Sequence, residues 1–121
     1  MAPKILVVDD EPDILRLVET RLRANQYETL SACDGKTGLE MAGREHPDLI
    51  LLDVMMPVMD GIETLRALKR NHETSSIPVI MLTAKKATKL IMDAQDLGAV
   101  DYIPKPFLVK DLLKCIQRYI L

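Results

Sequence analysis

The sequence predicts an α/β fold in which a parallel sheet of five strands is covered by helices on both faces. Short apolar runs alternate with amphipathic segments, so that a strand followed by a helix occurs five times along the 121 residues. Three of the runs are continuously apolar, which is typical of strands buried on both faces of a parallel sheet. The expected architecture is a doubly wound (βα)5 three-layer sandwich, with residues 1–121 forming one domain.

Five apolar runs predict the strands. They occupy residues 5–8, 29–32, 49–52, 79–82 and 102–103, and the second and fifth runs are weaker than the others. Aromatic residues make up only 3% of the chain, so the core around these strands is expected to be aliphatic.

Apolar residues at helical spacing predict the five helices, and local signals predict where they begin and end. Pro12 suits the first turn of the first helix, and Asp34 suits the cap of the second. The second helix is expected to run to about residue 45, because Pro47 cannot continue it. The third should end near Arg70, the fourth at Gly98, and the fifth at the last residue. The apolar faces comprise Ile14, Leu15, Val18 and Leu22; Ile62, Leu65 and Leu68; Leu90, Ile91, Ala94 and Leu97; and Leu112, Leu113, Ile116 and Ile120.

Composition argues against several classes of function. The net charge is -2 and the basic residues are spread along the chain, whereas a nucleic-acid-binding domain normally carries a basic face. No apolar run approaches the roughly 20 residues of a membrane span, and the first residues lack a signal-peptide core. Cys33 and Cys115 lack metal-site spacing and are expected to be buried in a reducing compartment. The expected location is therefore the cytoplasm.

Acidic residues follow two of the predicted strands directly. Asp9, Asp10 and Glu11 come after the first strand, and Asp53 comes after the third. The working site of an open parallel sheet lies at the carboxyl ends of its strands, where the strand order reverses. If the first and third strands are neighbours, as in the order 2-1-3-4-5, Asp9, Asp10 and Asp53 converge there.

Three converging carboxylates repel one another, so the cluster needs a compensating positive charge. A divalent cation and Lys105, which follows the fifth strand, are the two available sources. Carboxylate oxygens suit Mg²⁺, which usually takes one or two carboxylates and keeps several waters. An open Mg²⁺ position beside a carboxylate allows a phosphoryl group to move onto that carboxylate. The hydroxyl of Thr83, after the fourth strand, is placed to stabilise a further phosphoryl oxygen.

Four separated motifs, 5–11 (ILVVDDE), 51–61 (LLDVMMPVMDG), 82–84 (LTA) and 101–107 (DYIPKPF), resemble the receiver domain of response regulators in two-component signal transduction, the CheY-like superfamily. The resemblance extends over the whole chain. It implies a flavodoxin-like sheet of order 2-1-3-4-5 and a phosphorylation-activated switch that works in a phosphorelay. It implies no enzyme in the usual sense, because the domain promotes only its own phosphorylation and its slow autodephosphorylation.

The resemblance also implies roles for single residues. Asp53 accepts a phosphoryl group from a phosphohistidine of a histidine kinase or histidine phosphotransfer protein. Asp10, Asp53 and the backbone carbonyl of Met55 ligate Mg²⁺, for which Mn²⁺ can substitute, and Asp9 holds the metal directly or through water. Lys105 pairs with the phosphoryl group.

Three further residues are assigned by the same resemblance. The bond between Lys105 and Pro106 is expected to be cis. Thr83 and Tyr102 form the switch, in which the hydroxyl moves toward the phosphoryl group and the aromatic ring moves inward. Phosphorylation thereby changes the surface around the fourth helix, the fifth strand and the fifth helix, which offers Lys85, Lys86, Lys89, Asp101, Lys110, Asp111 and Arg118 to a downstream partner or output domain.

A few positions depart from the family pattern or have a structural interpretation. Val58 stands where many relatives have Gly, and Val100 stands where an acid is common. Met55 and Lys85 flank the acceptor without orienting an attacking water, which predicts slow dephosphorylation. Glu11 is expected in the first turn of a helix, favoured by the helix dipole, with a water-mediated metal contact as the alternative. Residues 60–61 (DG) are expected to form a turn before the third helix.

Alternative functions remain open at this stage. The chain is either an active receiver, alone or cut from a regulator with a DNA-binding or enzymatic output domain, or a pseudo-receiver that only binds. A flavodoxin-like electron carrier or an aspartate-nucleophile phosphatase is disfavoured, because acids follow the first strand and Met55 replaces the phosphatase's second acid. A basic residue common in dimeric winged-helix regulators is absent near Cys115, so both a monomer and a phosphorylation-dependent dimer remain possible.

Overall fold

The computed structural model describes residues 2–56, 58–84 and 88–120, in which five strands and five helices alternate strictly. The strands are β1 (Lys4–Val8), β2 (Glu28–Ala32), β3 (Leu49–Asp53), β4 (Val79–Ala84) and β5 (Asp101–Lys105). The helices are α1 (Pro12–Ala24), α2 (Gly35–Glu45), α3 (Gly61–Arg70), α4 (Thr88–Asp96) and α5 (Val109–Tyr119). No helix in these ranges combines the length and apolar character needed to cross a bilayer.

The strands form one parallel sheet in the order β2-β1-β3-β4-β5. The strand order reverses next to β1, because β2 lies on one side of it and β3 on the other. The predicted architecture and strand order are therefore confirmed. The carboxyl ends of β1 and β3 lie side by side, and β4 and β5 follow on the same side.

Strand residues alternate between two buried faces, which explains why the central strands are continuously apolar. One face packs against α2, α3 and α4 and includes Leu6, Val8, Ile50, Leu52, Met81, Ala42, Leu65 and Ala94. The other packs against α1 and α5 and includes Ile5, Val7, Leu49, Leu51, Ile80, Val18, Leu22, Leu112 and Ile116. The side chains named for the two faces are at most 2% exposed, so the sheet is a rigid platform for the residues at its strand ends.

The helix boundaries agree with the predicted signals in most places. Pro12 opens α1, and Asp34 caps α2 by accepting a 2.7 Å hydrogen bond from the Thr37 amide. Gly98, with φ of +103°, follows the end of α4 in the left-handed conformation that glycine adopts without steric cost. The predicted boundaries at residues 45 and 70 are confirmed.

Four predictions of position were wrong. The fifth helix ends at Tyr119, where extended Ile120 terminates it, and the final residue lies outside the described ranges. Glu11 is the N-cap residue rather than part of the first turn, because Pro12 occupies the first helical position. Cys33 is exposed because it follows edge strand β2, whereas Cys115 is buried. The fourth concerns Asp53, Thr83 and Lys105, which belong to β3, β4 and β5 rather than following them.

Candidate active site at the carboxyl ends of the strands

The sheet register brings the acidic residues together. Val8 pairs with Leu52 in the parallel ladder between β1 and β3, so Asp9 and Asp53 are the next residues on adjacent strands. Both are buried, with 0% of Asp9 and 3% of Asp53 exposed. The predicted convergence of these acids is therefore present in the fold.

Backbone amides orient both buried carboxylates. Asp9 Oδ1 accepts a 2.9 Å hydrogen bond from the Glu11 amide, and Asp53 Oδ1 accepts one of 3.3 Å from the Met55 amide. Each bond spans two residues and turns the chain sharply as it leaves the strand. The turns leave other carboxylate oxygens, including Asp9 Oδ2, available to neighbouring groups.

Lys105, the last residue of β5, places its ammonium group between the acids. Its Nζ atom lies 2.9 Å from Asp9 Oδ2 and 3.4 Å from Asp53 Oδ1. A third carboxylate oxygen, Glu11 Oε1, lies 3.1 Å away. The lysine side chain is 19% exposed, so these pairs are only partly screened by water. The bond from Lys105 to Pro106 is cis, as the resemblance implied.

The surroundings of Asp53 disfavour its ionised form more than they favour it. Burial raises the pKa of Asp53 from 3.8 to about 7, the negative charge of Asp9 adds to the increase, and Lys105 and the Met55 amide oppose it. Burial lowers the pKa of Lys105, but its hydrogen bond to Asp9 and the charges of Asp53 and Asp9 outweigh this and raise the pKa to about 12. One ammonium group therefore does not neutralise the cluster.

The carboxylates also form a set suited to a divalent cation. Oxygens of Asp9, Asp10, Glu11 and Asp53 lie within 4.8 Å of one another. Asp10 is half-buried, and its carboxylate makes no hydrogen bond or ion pair with any residue of the described ranges. Hard oxygen donors at this spacing fit Mg²⁺, which prefers a few carboxylates and several waters.

The two predicted switch residues, Thr83 and Tyr102, lie on neighbouring strands, Thr83 in β4 and Tyr102 in the edge strand β5. Thr83 follows Leu82, the register partner of Asp53, and pairs with Pro104 across β4 and β5. Its buried hydroxyl has no hydrogen-bond partner among the residues that the structure describes, although a buried polar atom is normally bonded. Tyr102 lies in β5 and is 40% exposed.

Comparison with known proteins decides the family. The family model of the response regulator receiver domain matches residues 5–117. The chain belongs to this family. Its acids, lysine and buried threonine therefore lie at one edge of the sheet of a receiver domain.

Relatives of this receiver agree in sequence and in structure. The protein named "Probable transcriptional regulator ycf27" of Porphyridium aerugineum is 46% identical over 109 residues, which cover 90% of this chain and 44% of that protein. Chemotaxis protein CheY4 of Vibrio cholerae has a TM-score of 0.94 at 33% identity, covering 99% of this chain and 100% of that one. The receiver of sensor histidine kinase PA1611 of Pseudomonas aeruginosa, which has a magnesium ion coordinated in its active site cleft, has a TM-score of 0.90 at 31% identity, covering 99% and 98%.

The receiver spans less than half the length of the first curated relatives that it matches, 44% to 45%. Those longer proteins therefore contain regions outside the part that matches this chain.

Two features of the site were not anticipated from the sequence. The first is the contact of Glu11 with Lys105, which joins residues 94 positions apart. The second is the close approach of Gly61 to the backbone of Asp53, where an added Cβ atom would clash with the Asp53 carbonyl oxygen. The Gly61 amide donates to the Val54 carbonyl at 2.9 Å, so α3 begins directly against the end of β3.

The predicted turn at residues 60–61 is the start of α3. Asp60 caps the helix and forms a capping box with Glu63, in which each side chain accepts from the other residue's amide. The spacing of an N-cap acid and a Glu three residues later was a readable signal for this arrangement.

An open cleft adjoins Asp53. It has a volume of about 520 Å³ and is lined by Glu11, Ile14, Leu17, Asp53, Met55, Lys105, Pro106 and Phe107. Leu17 is 43% exposed and Met55 is 65% exposed, so apolar side chains surround the entrance to a charged site. The other predicted flanking residue, Lys85, and its neighbour Lys86 lie outside the described residues.

Proposed function

We propose that this receiver is a phosphorylation switch that takes a phosphoryl group onto Asp53 in a Mg²⁺-dependent reaction. The observation that carries the proposal is the convergence of three further acids and Lys105 on one buried aspartate. A purely structural role would not favour gathering these like charges around a buried carboxylate, because each raises the free energy of ionising the next. Their convergence is consistent with a site that binds both a cation and an anion during phosphoryl transfer.

In the proposed reaction, an Asp53 carboxylate oxygen attacks phosphorus as the bond from phosphorus to the donor's imidazole nitrogen breaks. The leaving nitrogen keeps the electron pair of that bond. Lys105 holds one phosphoryl oxygen, and the unpartnered Thr83 hydroxyl donates to another. Mg²⁺ or Mn²⁺, held by Asp10, Asp53 and the Met55 carbonyl with Asp9 direct or through water, would neutralise charge on the transferring group.

A histidine kinase or a histidine phosphotransfer protein is the proposed donor. The apolar cleft beside Asp53 supports a protein donor, because exposed Leu17 and Met55 offer contact area that a small phosphate ester would not use. Met55 has no group that would orient an attacking water, so the acyl phosphate is expected to hydrolyse slowly.

The proposed output surface is the face formed by α4, β5 and α5. Asp101, next to the switch residue Tyr102, accepts 3.0 Å and 3.3 Å hydrogen bonds from Tyr119 and Cys115 and lies 3.6 Å from Arg118. These contacts join the strand that carries Tyr102 to α5. A movement of Tyr102 can therefore alter α5, whether the target is a separate protein, an output domain or a second receiver.

Intact mass after incubation with acetyl phosphate and Mg²⁺ tests the proposal. We expect a gain of one phosphoryl group that disappears with EDTA and in Asp53→Asn, followed by slow decay after the phosphodonor is removed. A chain that gains no phosphoryl group and binds no beryllofluoride in Mg²⁺ is not a phosphorylation switch, and it would instead act as a constitutive binding module.

A further inference from the structure

In the unphosphorylated receiver, the Lys105 ammonium group donates hydrogen bonds to Asp9 and Glu11 and forms an ion pair with Asp53. An ammonium group carries three N–H donors, and three carboxylate oxygens surround Nζ at 2.9, 3.1 and 3.4 Å. A phosphoryl oxygen that pairs with Lys105, as the proposed function requires, must therefore compete with these carboxylate oxygens for the ammonium group.

The three contacts differ in how easily they can be released. Asp9 is completely buried and would lose a partner that water cannot replace, and Asp53 is the acceptor that must stay beside the reacting group. The Glu11 side chain is 59% exposed, so its carboxylate can turn into water at small cost. Glu11 is therefore the partner that can leave.

Glu11 also has no competing local role. It is the N-cap residue of α1, but its side chain makes no capping hydrogen bond. Its amide donates to Asp9, and that backbone bond does not depend on the side chain. The Glu11 carboxylate is thus bonded to Lys105 instead of the helix end that it borders.

We infer that Glu11 is a positioning residue that holds the Lys105 ammonium group in the unphosphorylated receiver and releases it when a phosphoryl group arrives. The inference rests on the proposed function and adds a regulatory contact to the same site. Glu11 opposes loading, because every phosphoryl group that binds must compete with its carboxylate for Lys105.

The test compares Glu11→Gln, Glu11→Asp and the charge control Asp13→Asn, which changes an exposed residue two positions along the same helix. Affinity for beryllofluoride is measured by calorimetry at saturating Mg²⁺, after the Mg²⁺ affinity of each variant is determined separately. We expect Glu11→Gln to bind beryllofluoride roughly two- to fivefold more tightly, because a partly exposed ion pair contributes no more than this. Glu11→Asp, which keeps the charge but is one methylene shorter, should change in the same direction.

A second measurement needs neither metal nor chemistry. In the metal-free protein, the NMR signal of the Lys105 ammonium group, assigned by its loss in Lys105→Arg, should show a lower order parameter in Glu11→Gln than in the wild type. The wild-type value should persist in Asp13→Asn, whose side chain is not among the contacts of Lys105.

Three results would overturn the inference. Equal gains in Glu11→Gln and Asp13→Asn would mean that only net charge matters. Unchanged or weaker beryllofluoride binding by Glu11→Gln, in a receiver whose wild type is phosphorylated normally, would remove the role of Glu11 and leave the proposed function standing. A wild type that binds no beryllofluoride would overturn both.

Discussion

Replacing Asp53 by Asn should stabilise the metal-free receiver even though it removes the proposed acceptor. Asn has the same shape and keeps an oxygen that can accept from Lys105 and the Met55 amide. The change removes only the charge that burial and Asp9 disfavour. The stabilisation should be largest at pH values at which the Asp53 carboxylate of the wild type is ionised.

The magnitude follows from the displaced pKa. A change in pKa from 3.8 to about 7 corresponds to about 4 kcal/mol at 1.36 kcal/mol per unit. Water at the open edge of the site screens part of this, which leaves about 2 kcal/mol. For a chain of this size that free energy moves the urea midpoint by about 1 M.

The sign of the pH dependence is fixed by which state binds the proton more tightly. The folded pKa lies above the unfolded one, so the folded protein binds the proton more tightly between pH 3.8 and about 7. Below this window Asp53 is neutral in both states and carries no penalty. The penalty grows as the pH rises and is complete above about 7. At pH 5 the advantage of Asp53→Asn should be about two fifths of its value at pH 8.

Urea unfolding followed by far-ultraviolet circular dichroism, in EDTA at pH 5 and pH 8, measures the stabilisation by Asp53→Asn and its dependence on pH. Glu40→Gln removes a charge from an exposed position of α2 and should change the unfolding free energy by less than about 0.5 kcal/mol. Mg²⁺ should stabilise the wild type more than Asp53→Asn. If Asp53→Asn is no more stable than the wild type at pH 8, or if its advantage is undiminished at pH 5, the electrostatic account of the site is wrong.

Four further substitutions test local backbone conformation and helix capping, each by urea unfolding. Val58 has φ of +68° and a fully exposed side chain, so Val58→Gly should raise the unfolding free energy by about 0.5–1 kcal/mol, because it removes backbone strain without losing packing. Gly98→Ala, at φ of +103°, should instead be destabilised. A lower unfolding free energy for Val58→Gly would refute the backbone strain at this position. Gly61→Ala places a methyl group against the Asp53 carbonyl. It should lower the unfolding free energy by about 2 kcal/mol or more and slow phosphorylation by acetyl phosphate. If both quantities equal those of the wild type, α3 can shift away from β3 to accommodate the methyl group. Asp34→Ala should lower the unfolding free energy by about 1 kcal/mol at pH 7. Because the hydrogen bond from the Thr37 amide lowers the pKa of Asp34, this loss should vanish as the pH falls through the lowered pKa. A loss that is independent of pH would mean that the cap does not depend on the charge of Asp34.

Much of this receiver follows from the sequence alone because the signals are local. Continuous apolar runs, helical periodicity and capping residues such as Asp34 act over a few neighbours, so they predicted the ten elements and the residues that follow each strand. The position of Asp9 and Asp53 on neighbouring strands needed only a strand order, which the family resemblance supplied. The register then gave the observed convergence.

Tertiary structure decided the properties that depend on distance and on exclusion of water. Lys105 meets Asp9 and Glu11 across 96 and 94 positions, and no local pattern states which of its carboxylate neighbours it contacts. The raised pKa of Asp53 arises from burial in the assembled fold. Gly61 was read as part of a turn because nothing in its neighbours reveals that the Asp53 backbone lies against its Cα. Local sequence sets which groups stand at the strand ends, whereas packing sets how closely those groups approach and how much water they keep.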